Sequence, residues 1–272
     1  MMFLRALPIC QLRKVYFAWR IREFQQKENT ARTNHYHRKM LHEARDSAVL
    51  RVVACFLQSA PQLILQLCIL LSEDEPISAT MWSKIVSGCM TLLSFGTAMK
   101  NYHCASRLAQ PDGVVISTIG STLLLLWHIG TIAARIDVIA IAANKWLPYT
   151  SLALVINWVG WTTWIYTKQN AFSVLNGNET DSSSNSPTFA TKVRNLILAG
   201  VLAVVYTFTF VNLGKGRTFV RNSIYYILCL LQNGTVVIVW FTLTNLTDES
   251  LWFSKHILIF SVAFFFIGIA AM

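Results

Sequence analysis

Charge is scarce in this chain. Only 13% of its 272 residues are Asp, Glu, Lys or Arg, about half the roughly 25% of a soluble domain. That is too little to cover a water-facing surface. Cysteine is sparse and dispersed: Cys10, Cys55, Cys68, Cys89, Cys104 and Cys229 form no C-x-x-C pair, which argues against a disulfide or zinc framework. Four of them lie in apolar blocks and read as buried hydrophobes. Enzyme signatures are missing as well. His42-Glu43-Ala44-Arg45 fails the H-E-x-x-H pattern, and no G-x-S-x-G elbow, P-loop or strand-linked G-x-G-x-x-G occurs. The six histidines (35, 37, 42, 103, 128 and 256) are scattered, and the first three read as solvated, not as metal ligands. No enzyme, metal or cofactor is therefore expected. Nucleic acid is not an expected partner, since the aromatics sit inside the apolar blocks and not among basic residues on a soluble patch.

What the chain has is apolar length. Hydrophobic residues make up 54%, mean hydropathy is +0.46, and the blocks run near the ~20 residues that cross about 30 Å of hydrocarbon. The expected fold is an all-α polytopic transmembrane helical bundle with about seven hydrophobic segments: 47–71, 81–99, 113–147, 148–167, 193–213, 223–243 and 252–272. The last ends abruptly at Met272. Ahead of them, residues 1–46 carry ten Lys or Arg against four acids, a net +6 of the chain's +10. This segment has no long apolar core or small-residue cleavage site, so it does not read as a secretory signal. The positive-inside rule makes it cytosolic. Within it, Leu12–Phe24 mixes Val15, Tyr16, Phe17, Trp19, Ile21 and Phe24 with Arg13, Lys14, Arg20 and Arg22. It reads either as an amphipathic helix on an anionic cytosolic leaflet or as a solvated linker.

Charge also constrains the path of 113–147. A single crossing would put Lys215, Arg217 and Arg221 outside and Asp248-Glu249 inside, against the rule. A return to the cytosolic side reverses both and exposes the acceptor sequons at Asn178 and Asn245. The expectation is a hairpin, or a segment broken by a partial helix, turning near His128–Arg135.

Polar groups at membrane depth are the candidate functional residues. Gln58, Gln62 and Gln66 recur at i, i+4 and i+8, near one helix face, with Arg51 close to the same face and Pro61 as a candidate helix kink. Amides in hydrocarbon must face protein or water. They either hydrogen-bond between helices or line a path. Arg135 and Asp137 diverge if the helix is regular, and Gln232-Asn233 lies mid-membrane. Trp240 and Trp252 read as interfacial anchors.

These residues carry a resemblance. Phe56-Leu57-Gln58-Ser59-Ala60-Pro61-Gln62-Leu63-Ile64-Leu65-Gln66-Leu67 resembles the signature of the XK-related family, which includes Kell-blood-group XK-like proteins and apoptotic phospholipid scramblases. Ser94-Phe95-Gly96-Thr97-Ala98-Met99-Lys100-Asn101-Tyr102-His103 is similar to the next block. So are Leu126-Trp127 leading to Arg135, and Tyr226 through Gln232-Asn233 to Trp240. The resemblance implies two helical pseudo-repeats with some partial helices and a multi-pass plasma-membrane protein. It implies membrane phospholipids as partners, exchanged between leaflets in some members to expose phosphatidylserine in apoptosis, and in some a single-span partner subunit; it leaves room for a homodimer. It also implies helices before the basic segment and a caspase-cleaved C-terminal tail, so a chain shortened at both ends is expected. Gln58 and Gln232 stand where the family usually has Glu. Phospholipid scrambling along a polar groove lined by Arg51, Gln58, Gln62, Gln66, Arg135, Asp137, Gln232 and Asn233 is the expected function. The alternatives are a non-scrambling structural or regulatory subunit and a small-solute transporter.

Overall fold

The computed structural model describes residues 2–26, 30–72, 79–110, 113, 115–176, 189–211 and 218–243. They form six helices: α1 (Met2–Gln26), α2 (Thr30–Ser72), α3 (Ala79–Leu108), α4 (Thr118–Asn176), α5 (Phe189–Phe208) and α6 (Thr218–Leu243). No strand occurs among the described residues, as the all-α expectation requires. Three helices contain stretches long and apolar enough to cross a membrane: Thr30–Ser72, Thr118–Thr167 and Arg221–Thr242. The seven-segment count is therefore not reproduced. Segments 81–99 and 193–213 coincide with α3 and α5, but the apolar part of α5, Asn195–Phe208, is short for a crossing. Segment 252–272 lies outside the described residues, as do Asn178, Asn245 and Trp252.

The described residues fall into two compact units, one comprising residues up to Leu63 and 79–134, the other residues 64–72 and 135–243. The division inside α2 comes two residues after Pro61, which sits within a single 43-residue helix.

In the first unit, α2 packs on α3 through Phe56 and Phe95, both fully buried, with ring centroids 4.7 Å apart and planes 24° apart. Val52, Val53, Ala60, Leu63, Met99 and Tyr102 complete this core. A side chain at Gly96 would have no room: an added Cβ would run into Ile129 Cγ1 and stand 3.0 Å from Leu125 Cδ1. Glycine thus permits the close approach of α3 and α4, a common device where helices pack without a hydrophobic driving force. α1 docks on α2 through Phe24 and Tyr36, stacked at 5.3 Å, and through an Arg13–Glu43 ion pair at 3.4 Å.

In the second unit, Ile141 of α4 packs on Trp240 of α6, with Leu71, Trp146 and Val237 around them. Trp240 is 1% exposed, so it is a core residue and not the interfacial anchor expected from its position. Trp161, Tyr206, Phe210 and Tyr225 form an aromatic cluster at 5.4–6.3 Å. Trp158 Nε1 donates to the Gly200 carbonyl at 2.9 Å.

Residues 118–145 form one helix, which corrects the hairpin expected for 113–147. No turn occurs at His128–Arg135. Thr131 Oγ1 bonds back to the Trp127 and His128 carbonyls at 2.9 and 3.3 Å inside regular helix. The backbone leaves helical geometry only at Trp146 (φ −135°, ψ 56°), two residues before Pro148. Proline has no N–H to give, its ring clashes with the carbonyl four residues back, and it disfavours helix for the residue before it. The break also answers length. Fifty helical residues would span about 75 Å, far beyond one bilayer.

The outward surfaces are apolar. Leu57, Leu65 and Ile69 on α2, Trp82, Val86, Met90 and Leu93 on α3, Leu152, Val155, Ile156 and Val159 on α4, and Leu228, Leu231 and Ile238 on α6 are all exposed. In the most apolar stretches of α2 and α6 only 28% of residues are buried, against 72% in α4. That stretch of α4 is thus largely buried, while α2, α6 and the later part of α4 present bands of the kind that contact lipid.

Candidate functional site

A single charge organises the second unit. Arg135 is 7% exposed on α4, and burying an unpaired guanidinium costs several kcal/mol unless its donors are met. Three neutral oxygens meet them. Nε donates to the Thr207 carbonyl at 3.1 Å. One terminal nitrogen donates to Asn233 Oδ1 at 2.6 Å, the other to Gln232 Oε1 at 2.5 Å. Gln232 Nε2 passes the chain on to Asn157 Oδ1 at 3.4 Å.

Local structure explains each acceptor. Thr207 is the penultimate residue of α5, and the last four carbonyls of a helix have no partner within it. A cation there also suits the negative end of the helix dipole. The end of α5 is secured by Thr207 Oγ1 donating to the Ala203 carbonyl at 3.1 Å and Tyr206 Oη donating to the Val211 carbonyl at 2.5 Å. Gln232 and Asn233 are consecutive on α6, so their side chains leave the helix about 100° apart. The planar fork of the guanidinium, with five N–H groups in fixed directions, can engage both.

Arg135 therefore ties α4, α5 and α6 together, and among the described residues it makes no ion pair. Asp137, half-buried, lies on the same regular helix and points away from Arg135, with no hydrogen bond or ion pair among the described residues. The structure thus brings together three of the residues singled out from the sequence: Arg135, Gln232 and Asn233. It adds two that were missed. Asn157 had a signal, an amide within the apolar run 148–167. Thr207 had none, since a main-chain oxygen leaves no mark in the sequence.

The glutamine row is of another kind. Arg51, Gln58 and Gln62 are exposed and Gln66 is half-buried. None of the three amides makes a side-chain hydrogen bond among the described residues. They follow the outward side of α2, alternating with exposed Leu57 and Leu65. An interhelical hydrogen-bonding role thus finds no partner there, and the row gives one polar track on an otherwise apolar surface.

The histidines are less scattered than their numbering suggests. His103 of α3 stacks on His128 of α4 at 5.0 Å and 23°, and Trp127 stacks on His128 at 4.6 Å. His128 is fully buried, and neither of its ring nitrogens has a hydrogen-bond partner among the described residues. Among those residues, no group of three or more His, Cys, Asp or Glu converges to hold a metal ion.

Comparison with known proteins bears on what this arrangement serves. A family model described as XK-related protein matches residues 5–272. Among curated proteins, the chain is similar to XK-related protein 8 of Tetraodon nigroviridis, with 23% identity over 195 residues, covering 72% of this chain and 43% of the relative. It is similar also to XK-related protein 8 of Pan troglodytes, with 24% identity over 199 residues, covering 73% and 45%. The matched stretch is thus less than half the length of these relatives.

Proposed function

The chain belongs to the XK-related family, and from that premise we propose that it carries phospholipid headgroups between the leaflets of the plasma membrane. A headgroup must pass the hydrocarbon while its tails stay in lipid. Its phosphodiester is an anion, and an isolated charge at the bilayer centre costs several kcal/mol. The observation that carries this reading is Arg135. A guanidinium held only by neutral oxygens keeps its positive charge, so its field remains available to a passing phosphate. The amides of Gln58, Gln62 and Gln66 supply donors and acceptors along the surface of α2. Exchange by this route is downhill and needs no nucleotide. Phosphatidylserine exposure, control by apoptotic proteolysis and a single-span partner subunit belong to the same proposal, through the family resemblance.

One observation favours a second reading. The Arg135 clamp joins three helices and would serve a structural subunit equally well. Lipid flux separates the two. The whole chain is reconstituted in liposomes holding a fluorescent phospholipid, and dithionite reduction reports the inner-leaflet pool. A scramblase exposes that pool; a structural subunit or a small-solute transporter does not. Arg135→Lys keeps the charge but loses the fork. Flux that persists in Arg135→Lys and falls in Arg135→Gln supports the headgroup reading, provided both variants stay folded. Equal flux from the two would sink it.

A further inference from the structure

α1 has two opposite apolar faces, and among the described residues only one is covered by protein. Phe17, Ile21 and Phe24 lie on the inner face, where Ile21 and Phe24 are buried and Phe17 and Phe24 meet the Tyr36 ring of α2. Leu12, Val15, Tyr16 and Trp19 fall at i, i+3, i+4 and i+7, one stripe of a helix, turned away from that face. They are 70%, 67%, 47% and 59% exposed. A large apolar stripe left open on a helix calls for a covering, and the charges beside it indicate which. At 100° per residue, Arg13 and Arg20 border the stripe on one side and Arg22 on the other. The Arg20 guanidinium lies over the Tyr16 and Trp19 rings at 5.7 and 5.5 Å. It donates to Tyr16 Oη at 3.2 Å and to Glu23 at 2.8 Å, the one acid near the stripe among the described residues, which it thereby neutralises.

We propose that α1 lies in the plane of an anionic membrane surface, with Leu12, Val15, Tyr16 and Trp19 sunk among the upper acyl chains and Arg22, which makes no ion pair among the described residues, at the phosphates, while Arg13 and Arg20 flank the stripe paired to Glu43 and Glu23. Aromatic rings with a polar edge favour that depth, and long basic side chains reach from it to the headgroups. α1 is then a strut between protein and lipid: its inner face rests on α2 and its outer face on the bilayer. The surface is independent of the Arg135 site and of whether the chain scrambles lipid.

Photo-crosslinking in the full chain tests this. p-Benzoylphenylalanine replaces Trp19 in one variant and Phe17 in another, both reconstituted in phosphatidylcholine vesicles with and without phosphatidylserine. The expected adduct at position 19 is a phospholipid, and at position 17 a peptide of α2; the second also reports that α1 is docked. A protein adduct at position 19, or lipid adducts of equal yield from both positions, would overturn the proposal. With both lipids present, phosphatidylserine should be over-represented among the adducts. Arg22→Gln should lower that excess up to about fivefold, since one basic residue at such a surface contributes about 1 kcal/mol. No excess of phosphatidylserine overturns the anionic part.

Discussion

Arg135 of α4 and Gln232 of α6 meet at 2.5 Å, a cation against a neutral amide oxygen. The amide has its other end on Asn157 at 3.4 Å, a long contact, while Asn157 Nδ2 is buried with no hydrogen-bond partner among the described residues. This pairing makes Gln232 the most informative position to change.

Gln232→Glu should stabilise the second unit. The bond is already assisted by the guanidinium charge, and the carboxylate adds the Coulomb attraction of an ion pair in a largely water-free site. Rotating the Asn157 amide would offer its idle Nδ2–H to the new oxygen. We expect a gain of about 1–2 kcal/mol, read as a higher unfolding temperature in detergent. A lower unfolding temperature would show that Gln232 is not placed as described.

Gly96→Ala should cost about 1–3 kcal/mol, the usual penalty for overpacking, since its Cβ collides with Ile129. Gly234→Ala, where an added Cβ meets nothing within 4 Å, should be neutral or slightly stabilising, as Ala is the better helix former. Thermal unfolding of the two variants gives the comparison. Adding Ile129→Ala to Gly96→Ala should cost less than the two single changes taken together.

Replacing Gln58, Gln62 and Gln66 together by Leu should leave folding intact, because no hydrogen bond among the described residues is lost. The same change should slow dithionite-detected lipid exchange. If each amide lowers the barrier by about 1 kcal/mol, flux falls about fivefold per position. Unchanged flux with intact folding would remove the row from the path.

Trp158→Phe tests the contact of α4 with α5. It removes the indole N–H that reaches the Gly200 carbonyl but keeps an aromatic ring. A loss of about 0.5–1.5 kcal/mol is expected. Gly200→Val should cost more, because the Cβ site already stands 3.4 Å from Trp158 Cζ2 and a branched side chain adds atoms beyond it.

Much of the fold was legible residue by residue. Apolar runs of span length, few charges and missing strand signals place a helical membrane protein, and the helices cover the runs that fall within the described residues. The break in α4 was visible too, as Pro148, yet charge counting put the turn near Arg135. That expectation rested on the positive-inside rule applied to Lys215, Arg217, Arg221 and Asp248-Glu249, which asks for a return but does not say where the backbone can break. Arg135 stays because protein oxygens replace water around it.

The site itself was half legible. Arg135, Gln232 and Asn233 stand out as polar residues in apolar surroundings, a local property. Their mutual contact is not local: 97 and 98 residues separate the partners, and many pairings of such residues are compatible with the same sequence. The same holds for His103 on His128 and for Trp240, which composition places at the interface and packing places in the core.

Sequence by itself determined the solvent and the family, because hydrophobic length, charge content and the glutamine motif are properties of consecutive residues. Tertiary structure decided which polar group satisfies which. It left Arg135 with neutral partners, Gln58 and Gln62 facing outward and α1 with an uncovered apolar stripe. The reason is that helix packing brings distant residues together by shape and volume, and only once packed does a buried charge acquire its acceptors.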